Sequence, residues 1–291
     1  MKNIEFFLII LTTLIIFSQE QPYPVVLMHG IGANASTMNK VVEWIHELVG
    51  PDVYVKNVEI GNGYWDSMFN KMFDMVTDFC NQLKEDQELS KYPKINLIGY
   101  SQGSLITRGY VEYCNDPPVH NFITWSGPHE GVFGIPYVDW NWLDKLLRED
   151  CYIEEVQNSI TFAQYWKDTL NYDVYLNKSI FLPYLNNEEK TKDPKIKQKI
   201  QSLNSFTLLM STVDEVVNPK ESAWFAFYDD KRENIIPYNQ TLAYKEDWLG
   251  LRYLDENNRL NFYKTDCRHQ DYPTDKCKDV FIEYTLPRLL N

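Results

Sequence analysis

Apolar residues in this chain fall into short runs separated by longer mixed segments. The runs at residues 24–28, 95–98, 122–125 and 206–210 are almost wholly apolar; residues 53–60 alternate, and residues 260–263 complete the set. Turn residues follow three of them, as His29-Gly30, Gly99 and Ser126-Gly127. Within residues 66–83, Met68, Met72, Phe73, Val76, Phe79 and Leu83 recur at helical spacing and predict one helix; residues 105–113 predict another. Short buried strands alternating with helices imply a mostly parallel central sheet with helices on both faces.

The alternation breaks after Gly127 and resumes at Phe206. In the gap Trp140, Leu143 and Leu147 share one helical face, and Ile160, Ala163 and Gln164 another. Aromatic residues are dense there, among them Phe162, Tyr165, Trp166, Tyr172, Tyr175, Phe181 and Tyr184. The reading is a single α/β domain over residues 19–291, with a helical insertion at about residues 130–204. An insertion between the two halves of such a sheet sits over the strand carboxyl ends, where α/β folds bind ligands. Most of its aromatics are expected to pack the insertion, and a minority to line a groove.

Ahead of the first strand, residues 6–17 form an apolar stretch behind Lys2 that ends at Ser18. It is too short for a membrane-crossing helix, which needs about 20 apolar residues. It suits the hydrophobic region of a signal peptide covering residues 1–18. Gln19 and Glu20 follow at once and speak against an anchor, and no later run has membrane length, so no transmembrane segment is expected. Entry into the secretory path gives meaning to three glycosylation sequons, at Asn34, Asn177 and Asn239. It also suggests two disulfides among the five cysteines.

Composition narrows the classes further. With 44% apolar and 15% aromatic residues the chain can build a large core, which excludes wholesale disorder. Its 28 basic residues against 41 acidic ones leave a net charge of −13, with no basic run, so no nucleic-acid partner is expected. No spacing suggests a metal-ligand cluster or a phosphate-cradling loop, and no cofactor is expected.

The strongest chemical signal is Gly99-Tyr100-Ser101-Gln102-Gly103, a G-x-S-x-G string between an apolar run and a helix-like one. That is the strand–turn–helix setting of a nucleophile elbow, in which a strained serine is exposed and small neighbours avoid collision. Ser101 is the candidate nucleophile. The helix start places the Gln102 N–H at a developing oxyanion. A second donor is Ile31, in the His29-Gly30-Ile31-Gly32 loop after the first strand, where His29 is read as holding the loop.

The base follows by elimination. In this fold the order is nucleophile, acid, histidine. His29 precedes the nucleophile, while His46, His120 and His129 precede any acid. His269 alone follows the last strand. Asp214 follows the run at 206–210 and is the candidate acid; Glu215 is adjacent, and Asp229 and Asp230 lie further on. Cys267 and Cys277 bracket His269, and a bridge between them would pre-position the base. Cys80 would then pair with Cys114, leaving Cys151 free or paired outside the chain.

From about Pro24 to the C-terminus the sequence resembles the palmitoyl-protein thioesterase family of α/β-hydrolases. The resemblance rests on Gly99-Tyr100-Ser101-Gln102-Gly103, Gly131-Val132-Phe133-Gly134, Tyr165-Trp166-Lys167-Asp168, the string from Asp173 to Leu182, and Trp224-Phe225-Ala226-Phe227-Tyr228. It implies a lysosomal or secreted serine hydrolase that cleaves long-chain fatty acyl (palmitoyl) thioesters from S-acylated proteins or peptides and from fatty acyl-CoA. The family's triad maps onto Ser101, Asp214 and His269, and its glycosylation position onto Asn177. Ser104 stands where the family usually has a second glycine, and the loop after His29-Gly30 lacks the family's frequent acidic residue. A carboxyl-ester or neutral-lipid lipase would use the same triad and is the alternative; a catalytically dead binding protein would need a lost triad member.

Overall fold

The computed structural model describes residues 22–134 and 141–291, so the signal-peptide reading and Trp140 fall outside the described residues. Six strands, β1 (Val25–Met28), β2 (Val55–Val58), β3 (Ile95–Tyr100), β4 (Val119–Trp125), β5 (Ser205–Ser211) and a strand at Leu260–Thr265, form one sheet. Two short strands, β6 (Phe227–Tyr228) and β7 (Ile235–Ile236), pair as a separate hairpin, which makes the last sheet strand β8. The sheet order is β2-β1-β3-β4-β5-β8, and every neighbouring pair in it is parallel.

Strand alternation divides the core. Val25 and Leu27 of β1 pack with Val41, Trp44 and Ile45 of α1 (Asn39–Leu48) and with Phe281 and Leu289 near the C-terminus. Val26 and Met28 face the opposite layer, with Met75, Val76 and Phe79 of a helix at Met72–Lys84 and Leu105 and Ile106 of the helix after β3. Both faces of a parallel sheet are thereby covered, which is why its strands read as continuous apolar runs.

The helix predicted over residues 66–83 is two helices, α2 (Asp66–Phe69) and α3 (Met72–Lys84). Asn70 and Lys71 between them are extended. The insertion satisfies the interrupted backbone: Thr161 Oγ1 donates to Asn70 O at 2.6 Å, and the Met72 N–H donates to Gln164 Oε1 at 2.8 Å. Two strong side-chain bonds here outweigh a periodicity that would otherwise continue.

After β3 comes α4 (Gly103–Gly109), continuing as a wider π-type turn over Tyr110–Cys114. The insertion between β4 and β5 holds α5 (Asn141–Asp150), α6 (Glu154–Ser159), α7 (Tyr172–Lys178), α8 (Leu182–Leu185) and α9 (Pro194–Gln201). Leu143 and Leu147 are buried from α5 as the spacing predicts. The face expected of Ile160, Ala163 and Gln164 is not α-helical: Ile160 is extended and a 3-10 turn covers Thr161–Tyr165. The reason is again tertiary, since Gln164 spends its side chain on Met72.

In the turn that continues α4, the Glu112 side chain is fully buried, with the Arg108 guanidinium 3.6 Å away. Burial pushes its carboxyl up to about 8, and Arg108 offsets this only in part. The folded state therefore keeps a proton that the unfolded chain releases near its ordinary value of 4.5. Stability is expected to fall as pH rises between those values, by up to about 1.4 kcal/mol per pH unit. Urea unfolding of the wild type and Glu112→Gln from pH 5 to pH 8 checks this: the wild type should lose stability with rising pH, and the variant should show a flatter profile.

Candidate active site

Each chemically interesting side chain sits just past the carboxyl end of a strand. Ser101 follows β3 with φ +54°, a left-handed conformation that raises its side chain out of the turn. The elbow closes only with small residues. A Cβ on Gly103 would lie 2.3 Å from His29 O, and one on Gly99 would lie 2.3 Å from Thr107 Oγ1. Ser104 is accommodated by donating to Gly99 O at 2.9 Å.

Ser101 Oγ and His269 Nε2 are 2.9 Å apart, and His269 Nδ1 is 2.9 Å from Asp214 Oδ2. The carboxylate accepts a hydrogen bond from Nδ1–H, which keeps the proton on Nδ1 and leaves Nε2 as the acceptor facing Ser101. Asp214 Oδ1 in turn accepts from the N–H groups of Val216 and Val217 at 2.8 and 2.9 Å. Burial works against the Asp214 charge, but the His269 hydrogen bond and charge and the two backbone donors outweigh it, holding the carboxyl below its usual range. His269 is itself buried, and its carbonyl accepts from the Tyr100 hydroxyl at 2.9 Å.

The alternatives weighed for acid and base point elsewhere. Glu215 pairs with Arg268 at 2.8 Å, and Asp229 holds its own turn through Lys231, Glu233 and Asn234. His129 is buried with Nε2 3.1 Å from Thr124 Oγ1 and its ring stacked on Phe225; burial drives its pKa far down. His46 lies on α1 and His120 on β4, beside Lys94. His29 Nδ1 donates to Gly30 O at 2.8 Å, and its Nε2 lies 2.9 Å from Glu59 Oε1. Glu59 also accepts from the Ala35 N–H at 2.7 Å, so it supplies the carboxylate that the loop itself lacks.

Ile31 lines the same cavity as Ser101, Gln102 follows Ser101 in the chain, and neither backbone N–H donates to another backbone carbonyl among the turn and loop hydrogen bonds of the described residues. A cavity of about 380 Å³ opens over this cluster, walled by Ile31, Tyr64, Tyr100, Phe162 and Val216, with Ser101 and His269 at its base. Phe162 is the insertion's contribution. Cys267 and Cys277 are bridged across ten residues of sequence that contain His269, and Cys80 is bridged to Cys114. Closing so short a loop stabilises by about 3 kcal/mol in the chain-entropy model. Cys151 is buried and unbridged.

The family model described as palmitoyl protein thioesterase matches residues 24–269. The chain belongs to the palmitoyl protein thioesterase family. It is 45% identical over 286 residues to palmitoyl-protein thioesterase 3 of Dictyostelium discoideum, covering 98% of both chains. It is 33% identical to palmitoyl-protein thioesterase 1 of Caenorhabditis elegans over 91% of this chain and 92% of that one. Against the lysosomal thioesterase PPT2 homolog of Drosophila melanogaster the figure is 30%, covering 91% of each. Among solved structures, a monoacylglycerol lipase from Paleococcus ferrophilus aligns with a TM-score of 0.52 at 13% identity, over 92% of this chain and 96% of that one. At that identity the likeness speaks for the α/β-hydrolase fold alone.

The protein is thus an acyl-thioester hydrolase of the palmitoyl-protein thioesterase class, with acylated molecules as its substrates. Within that family setting, Asn34, Asn177 and Asn239 are all exposed. No helix among the described residues is long and apolar enough to cross a membrane. Glu59 behind His29 and Ser67 beside Gln102, neither of which the sequence singled out, complete the site, together with Tyr165, which was legible only as one of the insertion's aromatics and as part of a family string. The only sequence signal for Glu59 is a charge inside the alternating run at 53–60.

Proposed function

We propose that the protein hydrolyses long-chain fatty acyl thioesters, on cysteines of S-acylated proteins and on acyl-CoA, through a covalent intermediate on Ser101. The observation that carries this reading is the Ser101–His269–Asp214 chain of 2.9 Å contacts at the base of an apolar cavity. His269 Nε2 takes the Ser101 proton as Oγ attacks the acyl carbon. The negative charge that develops on the carbonyl oxygen is received by the N–H groups of Ile31 and Gln102. Collapse breaks the carbon–sulfur bond, and the thiolate leaves with the proton from His269. Water then attacks the acyl-serine with His269 again as base, releasing the fatty acid and restoring Ser101.

Asp214 orients the imidazole and stabilises its charged form. Its lowered pKa suits work in an acidic compartment, as does the stability profile set by Glu112. Exposed sequons and relatives named as lysosomal thioesterases support a lysosomal destination by way of the secretory path.

Mixing the enzyme with excess palmitoyl-CoA and quenching in acid within milliseconds should trap one palmitoyl group on the peptide that carries Ser101, seen by mass spectrometry. Acyl label on another residue, or none during turnover, contradicts the assignment.

A further inference from the structure

The two N–H groups placed at the oxyanion belong to separate loops, one after β1 and one at the elbow after β3. Their spacing is set by something other than local chain geometry, and α2 provides it. Ser67, buried in α2, accepts the N–H of Gly32 on its Oγ at 2.8 Å, directly beside Ile31. The same hydroxyl donates to Tyr64 O at 2.7 Å. Its carbonyl accepts from Gln102 Nε2 at 2.8 Å, and Gln102 Oε1 accepts from the Tyr165 hydroxyl at 2.9 Å. One short helix thus grips both loops, and the insertion grips the second loop from above.

We infer that Ser67 is a positioning residue that fixes the distance between the Ile31 and Gln102 donors, with Tyr165 holding Gln102 from the insertion side. This rests on the reading of Ser101 as nucleophile. The geometric demand is strict, since oxyanion donors act at about 2.7–3.1 Å and a misplacement near 1 Å can cost about 100-fold in rate. Tyr64, whose carbonyl Ser67 holds just ahead of α2, and Phe162 of the insertion both wall the cavity, so the network also couples the wall to the donors.

The test is Ser67→Ala, with Ser67→Thr as the hydroxyl-retaining variant and Tyr165→Phe as the cut on the other side. For Ser67→Ala we expect kcat to fall about 10- to 100-fold with KM nearly unchanged, and for Tyr165→Phe a smaller loss of the same kind. Affinity for an acyl trifluoromethyl ketone, which forms an oxyanion on Ser101, should fall by the same factor as kcat/KM. Affinity for 1-hexadecanol, which fills the apolar walls and carries no anionic oxygen, should stay within about twofold. Ser67→Thr should recover most of the rate. Equal losses of ketone and 1-hexadecanol binding, or a lowered melting temperature that accounts for the lost rate, would overturn the inference in favour of general loosening. Ser101→Ala measured alongside separates the two readings: if it is inactive while Ser67→Ala is silent, only the positioning role fails.

Discussion

Ser101→Ala and His269→Ala are each expected to lower kcat by roughly four to six orders of magnitude, and Asp214→Asn by about four. The losses should be comparable rather than additive, because the three side chains act as one unit joined by the 2.9 Å contacts at His269 Nε2 and Nδ1. Without Ser101 no acyl-enzyme forms. Without His269 the hydroxyl keeps its proton and the thiolate leaves unassisted. An amide at Asp214 no longer secures the proton on Nδ1, and Nε2 loses its acceptor role for part of the time. Residual catalysis of about 10³- to 10⁴-fold over water should persist from the Ile31 and Gln102 donors and from substrate binding. Steady-state kinetics with a C16 acyl thioester, next to melting curves for each variant, provide the check. His129→Ala, if equally damaging in a folded protein, would contradict the assignment of the base; its burial against Thr124 and Phe225 makes a stability loss the expected result instead.

The second large effect is the response to acyl chain length. Each methylene moved from water into an apolar wall contributes about 0.8 kcal/mol, close to a fourfold gain in kcat/KM. Lengthening the acyl group from C8 to C16 therefore has a ceiling of about four to five orders of magnitude, reached only if the whole chain is enclosed. The walls formed by Ile31, Tyr64, Tyr100, Phe162 and Val216 begin that enclosure next to Ser101. Thioesters should exceed matched oxygen esters at every length. A thiol with a pKa near 8.5 is a far better leaving group than an alcohol and asks less acid assistance of His269. The experiment compares C8, C12 and C16 acyl-CoA and acyl-cysteine peptides with oxygen esters and a triacylglycerol, below micelle-forming concentrations, at pH 5 and pH 7. C14 to C16 thioesters are expected to lead. A flat length profile, or a triacylglycerol turned over faster than any thioester, would exclude the thioesterase mechanism and favour a lipase.

The parts of the site that could be read along the chain are those with a local cause. Ser101 was legible because a strand, a tight turn and a helix follow one another within a few residues, and the turn admits only small neighbours. His269 and Asp214 were legible through order: in this topology each must follow its own strand, and few histidines or carboxylates lie in the right place. Other features had no such trace. The break between α2 and α3 contradicts a sound helical periodicity, because Thr161 and Gln164 arrive from some 90 residues away to satisfy the exposed backbone.

By itself, then, the sequence determined the alternation of buried strands and helices, the strand–turn–helix around Ser101, the order of the three candidate residues Ser101, Asp214 and His269, and the family resemblance. Burial and turn sterics act between near neighbours and leave a pattern in one dimension. Only the tertiary structure decided that Glu59 braces His29, that Glu215 turns to Arg268 while Asp214 meets His269, and that Ser67 and Tyr165 hold Gln102. Those choices depend on hydrogen-bond directions between segments distant in sequence. A hydrogen bond loses its value within a few tenths of an ångström and a few tens of degrees, so residue types alone do not specify it.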